Sequence, residues 1–266
     1  MNKRLPGLKS AYDKEDDGDV VLTNQRSPRP KDAATLILVR QDGPVPRVLL
    51  GKRSGGHSFM PEKYVFPGGK VDPHDARAPI LTPLSAPVAT QLTIGTRRAP
   101  HAFALTAIRE TFEETGLIVG RTGEATGKPP TGWGRYYGEG VMPCLQSFQF
   151  IGRAITPPYR PKRFDARFFM ADAEDALIDE RPPVDGAELS DLQWVTIKDS
   201  MDLDLPSVTR FMLGEIDERL AGPGAPKGPP FLRWTRNGHT RPALAQEHCL
   251  TSPPGPVIKP LSSYRR

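Results

Sequence analysis

Three glutamates on one face of a predicted helix are the residues of this chain best suited to chemistry. They lie in the stretch Arg109–Leu117, which reads RETFEETGL. Residues three and four positions apart are neighbours on a helix, so the side chains of Glu110, Glu113 and Glu114 should converge. A hard divalent cation such as Mg²⁺ or Mn²⁺ prefers oxygen ligands and would relieve the repulsion among three carboxylates. The spacing therefore predicts a metal site, and the alternative is a solvated acidic face.

A glycine turn lies upstream of this helix. The short apolar run Tyr64–Phe66 is followed by Pro67, Gly68 and Gly69. Glycine permits backbone conformations with positive φ and lets a ligand approach the backbone closely. The two glycines either make a simple turn or form one wall of a binding site.

The glycine turn and the acidic helix together resemble the signature of the Nudix hydrolases. That signature is Gly, five residues, Glu, seven residues, Arg-Glu, two residues, Glu-Glu, one residue, Gly and an apolar residue. Gly69 matches its first position and Arg109–Leu117 match its second half. Asp75 stands where the family has glutamate, and 33 residues separate it from Arg109 where the family has seven, an insertion of 26 residues. An insertion at this place resembles the coenzyme A diphosphatase branch of the family.

The resemblance implies an α/β fold, the Nudix-type α/β/α sandwich with a mixed β-sheet. It implies an enzyme that hydrolyses a phosphoric anhydride bond with Mg²⁺ or Mn²⁺. Glu110 and Glu114 are the first candidates for direct metal ligands, and Glu113 would complete the metal shell or orient water. Arg109 would brace the glutamates, and the carbonyl of Gly68 would be a further ligand.

Coenzyme A (CoA) or an acyl-CoA is the first candidate substrate, and ADP-ribose or a dinucleotide is the second. A nucleotide-sensing Nudix module without catalysis is the alternative from another class, although retention of all three glutamates argues against it. Arg53 is a candidate for substrate binding. Arg97 and Arg98 are also candidates, because the insertion contains no acidic residue and arginine binds phosphate well.

Several roles stay open at the level of the sequence. The insertion, about residues 76–100, either folds over the site or is a disordered proline-rich excursion. Asp75 is expected to support its loop rather than bind metal. Glu188 is either a surface carboxylate or a base or ligand.

Composition and the lack of periodicity predict a flexible leader at 1–31 and a linker and tail at 222–266, and the resemblance implies a Nudix hydrolase domain at 32–221. Two β-prone runs separated by a turn predict a hairpin. A loop is expected over 120–140, and a final helix is expected to start near Pro206. Strands are predicted at 35–39, 47–50, 64–66, 145–151, 164–170 and 192–195, and the acidic helix at 101–115.

Composition excludes several other classes. The net charge of +5 favours anionic partners such as a small nucleoside diphosphate derivative, but nucleic acid is not expected because no basic stripe with interleaved aromatic residues occurs. No apolar stretch approaches 18 residues, so membrane insertion is not expected. Two cysteines and no secretory signal predict a cytoplasmic protein, and a homodimer is left open.

Overall fold

A computed structural model describes residues 27–56, 60–158, 160–222, 228–235 and 238–240. Most of the predicted leader and tail lie outside these residues. The chain forms eleven strands and six helices within them. The strands are β1 (Lys31–Arg40), β2 (Arg47–Arg53), β3 (Tyr64–Val65), β4 (Gly68–Lys70), β5 (Arg121–Thr122), β6 (Val141–Met142), β7 (Gln149–Ile155), β8 (Phe164–Asp172), β9 (Leu189–Thr196), β10 (Phe231–Thr235) and β11 (Gly238–Thr240). The helices are α1 (Ala86–Leu92), α2 (Pro100–Thr115), α3 (Gly134–Gly138), α4 (Ala173–Ala176), α5 (Ile197–Ser200) and α6 (Ser207–Leu220).

Nine of the strands form one mixed sheet. Its order is β11-β10-β7-β8-β1-β2-β3, with β4 also paired to β1 and β9 to β2. The β1–β8 and β7–β10 pairs are parallel and the other pairs in this sheet are antiparallel. The predicted hairpin of β1 and β2 is confirmed.

Helices cover both faces of the sheet, which confirms the α/β fold class. Side chains alternate along β1, so Leu36 and Leu38 pack in the core on the α2 side while Ile37 and Val39 pack in the core on the α6 side. Burial on both faces explains why the central strand is a nearly continuous apolar run.

The acidic helix begins one residue before its predicted start and ends where predicted. It is α2, and Gly116 follows it in the left-handed conformation with φ of 70°. A residue with a Cβ is strained in that conformation, so glycine is the natural choice for ending the helix.

Two predictions for the middle of the chain were wrong. The strand expected at 145–151 is β7 and starts four residues later, because Leu145 and Phe148 are buried in a turn that precedes it. The loop expected at 120–140 contains α3, which forms because the fully buried rings of Trp133 and Tyr136 pack at edge-to-face angles in the α2-side core.

The insertion is folded, and the proline-rich excursion was the wrong alternative. It contains a 3₁₀ turn at Asp75–Arg77 and helix α1. Ala78, Leu84 and Leu92 are buried in the core on the α2 side. The insertion therefore extends the hydrophobic core beside the acidic helix.

The sheet continues past residue 221. Strand β10 pairs with β7 in parallel, and its Phe231 and Leu232 are buried. Part of the segment predicted as linker and tail therefore belongs to the sheet. Within the described residues, no helix is long and apolar enough to cross a membrane.

Candidate active site

The glycine turn and the acidic helix meet at β4. Strand β4 pairs with β1, and the backbone N–H of Gly68 donates a hydrogen bond of 2.8 Å to Oε2 of Glu114. A Cβ atom at Gly69 would lie 2.4 Å from the carboxyl carbon of Glu110. Glycine is therefore needed at position 69 for the Glu110 carboxylate to lie against the backbone.

Glu110 and Glu114 form a buried carboxylate pair. Glu114 is 6% exposed and the side chain of Glu110 is 14% exposed. Burial raises the pKa of Glu114 to about 8. The hydrogen bond from the Gly68 N–H lowers this pKa, and the charge of Glu110 raises it. Burial also raises the pKa of Glu110 to about 7, with Arg109 lowering it and Glu113 raising it. Two desolvated carboxylates whose charges interact are stabilised in their ionised form by added positive charge.

Glu113 is the most exposed of the three glutamates. Its side chain is 41% exposed, and its Oε2 lies 3.1 Å from Nη1 of Arg109. Among the residues that the structure describes, no three His, Cys, Asp or Glu side chains are grouped to hold a metal ion. Glu110 and Glu113 nonetheless share the Arg109 guanidinium, and the charge of Glu110 interacts with Glu114, so the three glutamates lie along one face of the helix. Their joint role in holding a metal ion stays a prediction. Arg109 lies one turn before Glu113 on the helix and forms an ion pair with it.

Arg109 braces the acidic helix against the loop before it. Its Nη2 lies 2.9 Å from Oε1 of Glu110, and its Nε donates a 2.8 Å hydrogen bond to Oδ1 of Asp75. Burial alone would lower the pKa of Arg109, but the Asp75 hydrogen bond and the charges of Glu110, Asp75 and Glu113 raise it. The guanidinium therefore stays charged and fixes the side chain of Glu110.

Asp75 is completely buried and accepts hydrogen bonds from several parts of the chain. Besides Arg109, its donors are the hydroxyl of Thr106 at 2.6 Å, the indole N–H of Trp133 at 3.0 Å and the backbone N–H of Asp72 at 2.9 Å. With its oxygens occupied in this way, Asp75 lies behind Arg109 as a structural support. Trp133 was not identified from the sequence as part of this site, and the clustered aromatic residues Trp133, Tyr136 and Tyr137 were the available signal.

Arg53 and Glu188 lie close enough to the carboxylate pair for their charges to interact with it. Burial lowers the pKa of Arg53, and the charges of Glu114, Glu188 and Glu110 oppose that effect. Glu188 also raises the pKa of both Glu110 and Glu114. Arg53 lines a pocket that also includes Gly68 and Gly69.

Arg97 and Arg98 lie elsewhere, in the insertion on the α2 side. Both are exposed, and Nε of Arg98 lies 2.5 Å from Oδ2 of Asp32, near the start of β1. Neither arginine is among the described residues that line the pocket. Their role in binding substrate stays a prediction.

Comparisons with known proteins agree with this architecture. Putative nudix hydrolase 7 of Caenorhabditis elegans is 28% identical over 185 residues, which cover 65% of this chain and 53% of the relative. Acyl-coenzyme A diphosphatase NUDT19 of Gallus gallus is 28% identical over 207 residues, covering 55% of this chain and 53% of that relative. The chain thus spans about half the length of the curated relatives it matches.

A solved structure shares the fold. The crystal structure of a NUDIX hydrolase from Alicyclobacillus acidocaldarius superimposes with a TM-score of 0.55 and 29% sequence identity, covering 71% of this chain and 91% of that one. No family model matches the sequence. In its fold, in these sequences and in the glycine turn joined to an RExxEExGL helix, the chain is similar to Nudix hydrolases.

Proposed function

We propose that this protein is a divalent-metal-dependent pyrophosphohydrolase that cleaves a nucleoside diphosphate linked to another moiety, with CoA or acyl-CoA as substrate. The observation that carries the proposal is the buried pair of Glu110 and Glu114, held against the glycine turn at Gly68 and Gly69. The likeness to an acyl-coenzyme A diphosphatase supports CoA as the substrate class.

The donor set suits Mg²⁺ or Mn²⁺. Mg²⁺ is usually held by one or two carboxylates together with substrate phosphates, which is what Glu110 and Glu114 can supply. Such an ion would neutralise charge on the diphosphate and lower the pKa of the attacking water. Glu113 is solvent-accessible and can orient water beside this pair, as a carboxylate does in general base catalysis.

The reaction consumes one water molecule and breaks one P–O bond of the phosphoric anhydride. The products are two phosphate monoesters, and two protons are released when both monoesters are fully ionised. Arg53 is placed to hold a phosphate, since a guanidinium binds phosphate oxygens through two parallel hydrogen bonds. Arg109 keeps Glu110 in place while Asp75 holds Arg109.

Hydrolysis of ADP-ribose or of a dinucleotide is the alternative within the same chemistry. A sensing module without catalysis is less well supported, because desolvating Glu110 and Glu114 costs stability and a module that only binds would gain nothing from the pair.

The decisive experiment is a product assay with CoA, acyl-CoAs, ADP-ribose and diadenosine polyphosphates in Mg²⁺ and in Mn²⁺. We expect EDTA to abolish activity and either ion to restore it. Glu114→Gln and Glu113→Gln should each lower turnover at least about a hundredfold with the fold retained, because a neutral amide removes charge compensation worth several kcal/mol. In Glu114→Gln the new amide oxygen can still accept the Gly68 hydrogen bond, so this variant should fold.

Glu124→Gln is the matched control, because Glu124 is an exposed glutamate outside the site. It should keep full activity. Near-normal turnover in both site variants at saturating metal would refute the proposed function.

A further inference from the structure

A pocket lies on the α6 side of the sheet, on the face opposite the insertion. It is formed by segments that are far apart in the sequence: β1, the end of β2 and the loop after it, β4, β7 and β8, and the first turn of α6. Eleven of its lining residues are apolar: Met60, Val65, Phe66, Ala154, Ile155, Pro157, Phe164, Ala166, Phe168, Pro206 and Val208.

The polar residues that line the pocket are of three kinds: arginine, glycine and residues with a hydroxyl group. They comprise Arg53, Arg160, the two glycines of the turn and four hydroxyl side chains, Thr35, Thr156, Ser207 and Thr209. Among the described residues that line it there is no carboxylate, carboxamide or imidazole. The pocket therefore suits a ligand that is anionic at one end and largely apolar along its length.

The pocket adjoins the carboxylate pair at the glycine turn. Gly68 and Gly69 belong to both, since Gly68 donates to Glu114 and Gly69 lies against Glu110. Arg53 lines the pocket, and its charge interacts with both glutamates. A substrate whose diphosphate lies at the pair can thus extend one of its two halves along the pocket.

We propose that this pocket holds the acyl-pantetheine arm of a CoA thioester. The inference rests on the proposed function and selects CoA over ADP-ribose within it. The two substrates share adenosine diphosphate, to which CoA adds a 3′-phosphate, and they differ in the group joined to the far phosphate. A ribose brings hydroxyls that lose hydrogen bonds to water and meet mostly apolar walls, which is unfavourable. Methyl and methylene groups of the pantetheine and acyl chain gain from the same burial.

The test fills the pocket and measures the two halves of the substrate separately. Val208 lies in the first turn of α6 and is half-buried in the lining, so Val208→Phe should occupy space that the arm needs. Ala166→Leu, from β8 on the opposite wall, is a second variant should the first fail to fold. Val45→Phe, in the exposed turn between β1 and β2, adds the same bulk away from the pocket as a control.

The probes are 4′-phosphopantetheine, which is one half of CoA, and AMP, which is the adenosine 5′-phosphate that CoA and ADP-ribose share, each titrated by calorimetry in Mg²⁺. We expect the pocket variants to weaken 4′-phosphopantetheine binding at least about tenfold, because excluding even two buried methylenes costs that much affinity. AMP should bind each variant as it binds the wild type, which also shows that the site is folded. The control variant should bind both probes normally.

Other results would overturn the inference. Weakening of both probes alike would place the nucleoside in the pocket, and no effect on either would exclude the pocket from substrate binding. Binding is measured without turnover, so a wild-type protein that hydrolyses no diphosphate would refute the proposed function separately from this assignment.

Discussion

Replacing Asp75 by asparagine should damage the stability of this protein more than its chemistry. Asp75 is completely buried, and its two oxygens accept five hydrogen bonds, two from Arg109 and one each from Thr106, Trp133 and the backbone of Asp72. Two of the donors point at Oδ1 and three at Oδ2. Whichever way an asparagine amide turns, its NH₂ group faces at least two donors, and Arg109 loses a buried counter-charge.

The expected cost is large. Removing one partner of a buried ion pair typically costs about 3–5 kcal/mol. Arg109 keeps its contacts with Glu110 and Glu113, at 2.9 Å and 3.1 Å, so the lower end of that range is expected here. The measurement is the free energy of unfolding from urea denaturation, with the slope of the transition checked against the wild type.

Asp179→Asn is the matched control. Asp179 also pairs with an arginine, at 2.7 Å from Arg181, but its side chain is 42% exposed. A surface pair of this kind contributes about 0–1 kcal/mol, so the control should unfold almost as the wild type does. At a temperature where Asp75→Asn is folded, its metal affinity and turnover should fall less than those of Glu114→Gln. Equal unfolding free energies for Asp75→Asn and wild type, or metal affinity reduced as much as by Glu114→Gln, would refute the reasoning.

Two further predictions concern the turn and the insertion. Gly69→Ala should lower turnover and metal affinity at least about tenfold with little loss of stability, because the new methyl group displaces the flexible end of Glu110. Gly43→Ala is the control, since nothing lies within 4 Å of the added methyl group, and it should change neither turnover nor metal affinity. Replacing Arg97 and Arg98 by alanine should raise KM for CoA about tenfold more than KM for 3′-dephospho-CoA, which is the loss expected for one charged hydrogen bond to the 3′-phosphate. Steady-state kinetics measure both values. Equal effects on the two substrates would exclude the insertion from recognition of the 3′-phosphate.

The local features of the site could be predicted from the sequence. The acidic helix, its termination at Gly116 and the glycine turn each depend on a few consecutive residues, because helix periodicity and the conformational freedom of glycine act over one or two turns of chain. The same locality explains why the start of α2 was predicted to within one residue. It also explains why the hairpin of β1 and β2 was recognised from two β-prone runs and a turn.

Only the tertiary structure determines which charged side chains of the site pair with one another and which are buried. Helix spacing places Glu110, Glu113 and Glu114 near one another, but only the folded chain shows Glu113 exposed and paired with Arg109, Glu114 buried and Glu110 largely covered. The support of Asp75 by Trp133, 58 residues away, likewise depends on the packing of α3. The ordered insertion and the pocket beside the glycine turn are built from segments separated along the chain. Burial and pKa depend on all neighbours in space, whereas sequence patterns report only on neighbours along the chain, and this is why the residues of the helix could be predicted but not their environment.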